Sequence, residues 1–380
     1  MKSLILHSLF LIPALPMLAG AQALTLVNPL GIDRQPEIVE VPLSQIARHL
    51  PFTASQASNL VALDSGTGKR VPSQLYTSTP GAPPDTLLLL VQVPARGSTI
   101  VSFRVDPSAA PVVPLVFGRE APERKDDFAW ENELVTYRVY GPALQATGEV
   151  TSGIDVWSKR VPNFVIDSFY KRDLEGIRTH NPTLSYHKDN GVGLDSYYVG
   201  PTRGCGGTAV FSDNRLFVSK NYTTMRMIAN GPIRFEFEVS YAPWDANGTS
   251  VAERKRITLD AGTHLNKITS IYTFADSKPI DVVAALAVHN GADALFPVKS
   301  KIAAVWDTPQ DATAGRIATG LIAAPAQHAE TLNAAGHAML VFRRNSGVPF
   351  VYYAGSGWSK GSMPDAAHWV DYLEVRLDMI

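Results

Sequence analysis

Short apolar runs broken by turn residues mark the first part of the chain. PEIVEVPL, NLVALDS, KRVPSQLY, DTLLLLVQV and STIVSFRV, between Leu24 and about Pro107, read as strands separated by Gly, Pro, Ser and Asp clusters. Gln45–Leu50 reads as one helical turn. The pattern predicts a small β-sandwich of about six strands. A Pro- and Ala-rich linker, PSAAPVVP at 107–114, follows it. From 115 onward the runs lengthen: ELVTYRVYG, PIRFEFEVSYAPW, ERKRITLDAG, NKITSIYTF, HAMLVFRR and VDYLEVRLDM alternate or run apolar, rich in β-branched and aromatic residues. Only DVVAALAVH and PAQHAETLNAAG hint at a helical stripe. The prediction is an all-β chain. An N-terminal sandwich spans 24–107, and two large antiparallel sheets packed face to face span 115–380, with a ligand held on a concave sheet face.

Composition narrows this. The 27 prolines suit many turns and sheet edges, and no short repeat suggests a solenoid or propeller. Net charge is −1 with both signs interspersed, so no basic stripe favours nucleic acid as a partner. At the N-terminus, Lys2, the apolar run Leu4–Leu18 and Ala21-Gln22-Ala23 read as a secretory signal peptide over 1–23. No later run is long enough to span a membrane. The expected destination is periplasmic or extracellular. Cys205 is the only cysteine, so no intrachain disulfide forms, and a buried thiol is a better reading than a nucleophile. Oligomeric state is not encoded in any visible pattern.

The chemistry concentrates in four clusters. In SYHKDNGVGLDSYYVGPTRGCGG (185–207), an extended 187–197 segment would put His187, Asp189, Asp195 and Tyr197 on one face. Gly191 and Gly193 would then leave room for a ligand to approach the backbone. Tyr186, Tyr198 and Arg203 flank it; a glycine-rich turn with solvated polar residues is the plain alternative. In KDDFAWENELVTYRVYGP (125–142), Trp130 and Glu131 precede Asn132, Arg138 and Tyr140, which share one parity. Strands carry such groups inward only when they are paired or functional. SGIDVWSKRV (152–161) presents Asp155, Trp157 and Lys159 together, and YYAGSGWSKG (352–361) places Trp358 in a glycine-loosened loop. Aromatic faces beside cations and carboxamides suit a sugar, whose C–H face stacks while its hydroxyls find polar partners. Core burial is the competing account of Trp130 and Trp157.

No cofactor is called for. Asp189, Asn190 and Asp195 offer hard oxygens that suit Ca²⁺ or another divalent metal, but the order of ligands in a helical Ca²⁺ loop is absent. His187 and Asp189 form an H-x-D pair with no second histidine close by, which argues against zinc.

DDFAWENELVTYRVYGPAL, SGIDVWSKRV, YHKDNGVGLDSYYVGPTRGCGG and GPIRFEFEVSY, in that order, resemble the secreted family known as domain of unknown function 4861. The resemblance covers most of the chain. It implies a galactose-mutarotase-like β-supersandwich for the large domain and a part in degrading uronic-acid polysaccharides. That fold serves lyases, epimerases and non-catalytic modules alike, so it does not choose the reaction.

The leading expectation is β-elimination on a uronic-acid-containing oligo- or polysaccharide, by a lyase or by a dehydratase of a terminal uronate. His187 is the expected base and Tyr197 or Tyr198 the expected acid. Arg203, Lys159 and Arg138 would neutralise the substrate carboxylate, assisted by Asn132. Tyr140, Trp130, Trp157, Asp189, Asp195 and Trp358 would complete the binding surface. Alternatives are a sugar mutarotase or epimerase working through His187 and Glu131, and a non-catalytic carbohydrate-binding protein.

Overall fold

Side-chain alternation builds the largest sheet. Along Thr249–Asp260 the buried positions are Val251, Glu253, Lys255, Ile257 and Leu259, every second residue. The two ionisable members are matched inside: Glu253 accepts from Thr208 and Ser270 Oγ at 2.6 Å each and lies 3.2 Å from Lys255 Nζ, which sits over the Tyr241 ring. The computed structural model describes residues 10–12, 23–297, 299–309 and 311–380. Apart from Phe10–Ile12 and Ala23, the expected signal peptide lies outside the described residues.

Strands hold 46% of the chain and helices 14%, an all-β balance. Residues 23–105, with Phe10–Ile12 as the edge strand of the larger sheet, form a five-stranded and a three-stranded antiparallel sheet around Leu26, Val41, Leu87, Leu89 and Phe103. The strand Ser73–Tyr76 abuts the rest of the chain. Gln74 Oε1 accepts from the backbone N–H of Ile233 and Arg234, and Tyr76 donates to Glu236.

Beyond the linker an eight-stranded sheet runs in the order Thr224–Asn230, Arg234–Ala246, Thr249–Asp260, Leu265–Phe274, Phe350–Trp358, Ile317–Ala323, Ile302–Asp307, Asp293–Leu295. Two five-stranded sheets complete the sandwich. One has Cys205–Ser212, Ile280–Ala287 and His337–Arg344 at its centre. The other is ordered Gly193–Leu194, Asp155–Lys159, Thr136–Val139, Asp127–Asn132, Val116–Ala121. Cys205 is buried, its Sγ 3.2 Å from the carbonyl of Gly355, and burial pushes its thiol pKa up.

Several expectations are corrected here. VDYLEVRLDM is helical, within Ala366–Met379, because Trp369 and Leu373 stand one turn apart and Asp365 caps the start by accepting from His368 N–H. This helix lies on the eight-stranded sheet, where Gly320 has no room for a side chain: a Cβ there would stand 2.7 Å from Leu373. DVVAALAVH and PAQHAETLNAAG, read as helical stripes, contribute the strands Ile280–Ala287 and Glu330–Ala334. YYAGSGW, read as a loop, is most of the strand Phe350–Trp358. The helix Ile166–Thr179 was not foreseen, although Ile166, Phe169, Tyr170 and Asp173 are buried at helical spacing. No helix among the described residues is long and apolar enough to cross a membrane.

Candidate functional site

Both faces of the sheet Val116–Leu194 are covered, for opposite purposes. Phe128, Trp130, Tyr137, Val139 and Val156 point into the main core. The other face carries Ala129 and Trp157 beneath the helix Ile166–Thr179, together with every buried charge of these strands. Arg138 stands opposite Asp155 on the neighbouring strand and opposite Ala129 on the other side. Period-two alternation then brings Asp127, Glu131, Tyr140, Trp157 and Lys159 onto the same face.

Two ion clusters result. At one end Lys159 Nζ donates to Glu131 Oε2 and to the Asn132 carbonyl, each at 2.8 Å. Glu131 also accepts from the buried N–H groups of Val165 and Ile166, donors at the start of the helix that have no partner within it. Its charge therefore caps a helix that has no side-chain cap of its own. Burial lowers the Lys159 pKa, and Glu131 offsets that only in part.

At the other end Arg138 holds three carboxylates. Its Nε donates to Asp155 Oδ2 at 2.9 Å, Nη1 lies 3.5 Å from Asp127 and Nη2 3.3 Å from Asp195. Tyr140 and Tyr186 accept from its remaining N–H groups at 3.2 Å. Burial works against the guanidinium charge, but Tyr140, Asp155 and Asp195 hold its pKa well above the ordinary value. Three carboxylates exceed what Arg138 and the adjacent Arg124 neutralise in so buried a place. Burial pushes Asp127 up to about 7, and burial together with the neighbouring Asp155 charge pushes Asp195 well above its ordinary value. Among the described residues neither Asp127 Oδ1 nor Asp195 Oδ1 has a partner.

This second cluster opens into a cavity of about 670 Å³, within the ~300–1,000 Å³ typical of ligand sites. Arg124, Lys125, Glu149, Tyr186, His187 and the stretch Tyr197–Pro201 wall it. His187 stands at the wall with 58% of its side chain exposed. Its Nδ1 lies 2.9 Å from the Asp195 carbonyl, which only accepts, so Nδ1 carries a proton. The lone pair of the neutral ring is then on Nε2. Tyr197 is buried, its hydroxyl has no partner among the described residues, and burial raises its pKa, so it keeps its proton. Tyr198 is half exposed.

His187, Tyr197, Tyr198, Arg138, Tyr140 and Asp195 thus meet at one cavity. The remaining nominated residues do not. Lys159 is sealed against Glu131, which also removes Glu131 as a sugar base. Arg203 is buried beside Ser152, to whose hydroxyl it donates at 2.9 Å, and burial lowers its pKa to about 10. Trp130 donates to Asn266 in the core, and Asn132 bonds the carbonyls of Asp260 and Thr263. Trp157 is stacked between Phe169 and Tyr186. Trp358 is buried, donates to the Ala314 carbonyl and lies against the Arg160 guanidinium.

The single-face reading of 187–197 also fails, because only Gly193–Leu194 is strand. Asp189 turns away to pair with Arg160. Gly193, at φ 155°, makes room for the backbone of Ser158 rather than for a ligand. Asn190 bonds the N–H of Val192, so Asp189, Asn190 and Asp195 do not converge on a cation. Among the described residues no group of three His, Cys, Asp or Glu side chains is arranged to hold a metal ion.

The reading of single segments missed Asp127 and Arg124, and it named Asp155 beside Trp157 and Lys159 without giving it a role. Asp127 and Asp155 stood in the quoted segments, and pairing their strands with that of Arg138 would have joined them to it.

Fold and site together define an all-β protein with an arginine–carboxylate cluster, a histidine and tyrosines around one cavity. The chain belongs to the family described as domain of unknown function (DUF4861), whose model matches residues 26–380. It is 30% identical over 368 residues to "Uncharacterized protein P7" of Formosa agariphila, which covers 92% of this chain and 89% of the relative. Two solved structures from Enterococcus faecalis are similar at 10% identity and a TM-score of 0.48: a protein in glycosyl hydrolase family 38, and an alpha-mannosidase of strain V583. The matches cover 95% and 96% of this chain but 47% and 46% of those proteins, so the chain spans about half their length.

Proposed function

We propose that this is an exported enzyme that cleaves uronic-acid-containing saccharides by β-elimination at the His187 cavity. The observation that supports it most is the convergence of a histidine with its Nε2 free, a protonated buried tyrosine and basic side chains on one cavity. His187 Nε2 takes the proton from C5 of the uronate. The electron pair forms the C4–C5 double bond, the C4–O bond breaks, and Tyr197 or Tyr198 returns a proton to the departing oxygen.

The C5 proton becomes labile only when the adjacent carboxylate is neutralised. Arg138 is committed to three aspartates and Arg124 to Asp173 and the Tyr186 hydroxyl, so that task passes first to Lys125 at the wall, with Arg124 and protonated Asp127 behind it. Arg138 is then a positioning residue. It sets the Asp195 segment whose carbonyl orients His187.

Ultraviolet absorbance of the conjugated product tests this on uronate oligosaccharides. Wild type should generate it, and His187→Ala should lose at least about a hundredfold in kcat while still binding by calorimetry. Absence of the absorbance across glucuronate-, galacturonate-, mannuronate- and guluronate-containing oligosaccharides rejects elimination. A second reading, mutarotation or epimerisation, draws on Asp127, whose pKa of about 7 suits an acid–base group. It predicts anomeric or ring-proton exchange by NMR with no absorbance change.

A further inference from the structure

Tyr198 is a wall between two cavities. Beyond it lies a second one, of about 310 Å³, bounded by Ser196, His289, Asn290, Asp307 and Thr308. That is at the small end of ligand pockets, the scale of a single sugar ring. The Tyr198 side chain is 54% exposed, whereas most large aromatics of this chain are buried. It can offer a flat face to a ring's C–H surface.

The polar groups of this second cavity are incompletely matched. Asp307 is 2% exposed, yet its Oδ1 has no hydrogen-bond partner among the described residues, and neither has Ser196 Oγ. A buried carboxylate oxygen without a donor is costly unless something supplies one. The other oxygen, Oδ2, is taken by His289 Nδ1 at 2.5 Å, while His289 Nε2 stands 2.8 Å from the Tyr198 carbonyl. Both ring nitrogens face acceptors, which suits a doubly protonated ring. The hydrogen bond from Asp307 accordingly leads the causes that raise the His289 pKa. The histidine thus ties the cavity to the segment that carries Tyr197 and Tyr198. The unpaired Asp307 oxygen calls for a hydroxyl donor, and a uronate carboxylate, which only accepts, cannot answer it.

We propose that this cavity is a second saccharide subsite, sharing Tyr198 with the first. It takes a neutral sugar residue next to the uronate through that sugar's hydroxyls and rejects a second uronate. The proposal rests on the saccharide reading of the first cavity. It adds a substrate class: uronate joined to neutral sugar rather than polyuronate.

Calorimetry on the whole protein tests it independently of turnover, with three probes in each of a glucuronate and a galacturonate series. These are the free uronate, the uronate joined to xylose or rhamnose, and the diuronate. The mixed disaccharide should bind about tenfold or more tighter than the free uronate, the worth of one charge-assisted hydrogen bond, and the diuronate should show no such gain. Thr308→Trp and Asn290→Trp, fillers on two different loops, should each remove the gain and leave free-uronate affinity within about twofold. Equal affinity for free uronate and mixed disaccharide overturns the subsite and leaves the first-cavity reading standing. So does a gain that both fillers leave intact. A neutral-neighbour gain lost in both fillers, without any unsaturated product, supports the subsite and rejects only the elimination. Failure of every probe to bind overturns both.

Discussion

Arg138 and Lys159 lie on adjacent strands, face the same way and are both buried with carboxylates, yet they do different things. Every polar atom of the Lys159–Glu131 pair is answered from within the protein, and both side chains are fully buried. One cation meets one anion, and the anion's spare capacity caps a helix. Around Arg138 three carboxylates crowd one guanidinium, and two of their oxygens are unanswered among the described residues. Protons make up the shortfall, and the cluster faces a cavity. A matched pair is architecture. An unmatched cluster, held together by the surrounding fold, is where chemistry can be stored.

The largest effect should come from breaking the matched pair. Lys159→Ala strands Glu131 in a site closed to solvent, and should cost about 3–5 kcal/mol of unfolding free energy by urea titration. Lys159→Met with Glu131→Gln removes both charges and should recover a good part of that loss. A single substitution costing under about 1 kcal/mol would show that the pair is not sealed, and the contrast with Arg138 would collapse.

The unmatched cluster should show itself in pH dependence. The Asp127 pKa rises on folding from near 3.8 to about 7, so the folded state binds the extra proton. Its contribution to stability is complete below about pH 4 and is lost as pH rises through about 7. Asp127→Asn keeps the shape and removes that titration. The difference in Tm between wild type and variant should therefore move against wild type from about pH 4 to about pH 7 and level off above. Asp195, raised in the same direction, keeps part of the slope in the variant. A difference that does not change with pH would mean that Asp127 is ionised like any surface aspartate, and Arg138 would then be as well matched as Lys159.

The same contrast explains what the sequence reveals. Alternation along Thr249–Asp260 exposes a half-buried strand, and parity correctly puts Arg138 beside Tyr140. Along Asp127–Asn132 and Asp155–Lys159 every residue is buried, so alternation no longer tells which face meets the core. That is why Trp130 and Trp157 read as equivalent platforms, although one lies in the sandwich and the other under a helix. Lys159 and Arg138 share a parity, and what separates them comes from distant chain. The start of Ile166–Thr179 lies over one and the Tyr186–Pro201 segment over the other. His289, held by Asp307, meets Tyr198 across 91 residues, and no local pattern announces that contact. The helix Ala366–Met379 was hidden for a different reason. Leu373, Val375, Leu377 and Met379, alternating with Glu374, Arg376 and Asp378, mimic a strand, while Trp369 and Leu373 supply the helical contact.

The smallest effect belongs to the residue that the local pattern ranked beside His187. Asp189 sits two positions along and was expected on the same wall, but the turn after His187 swings it out to Arg160, where both side chains are part-exposed. Water screens such a pair, and its members lose side-chain freedom to hold it. Asp189→Asn should therefore change unfolding free energy by less than about 1 kcal/mol. Uronate affinity measured beside His187→Ala and Asp127→Asn should stay at the wild-type value, because nothing at the cavity depends on the pair. A loss of affinity as large as that of Asp127→Asn would put Asp189 back on the wall. The cluster around Arg138 would then have to extend through solvent to the Arg160 loop, and the boundary drawn between matched and unmatched charge would be in the wrong place.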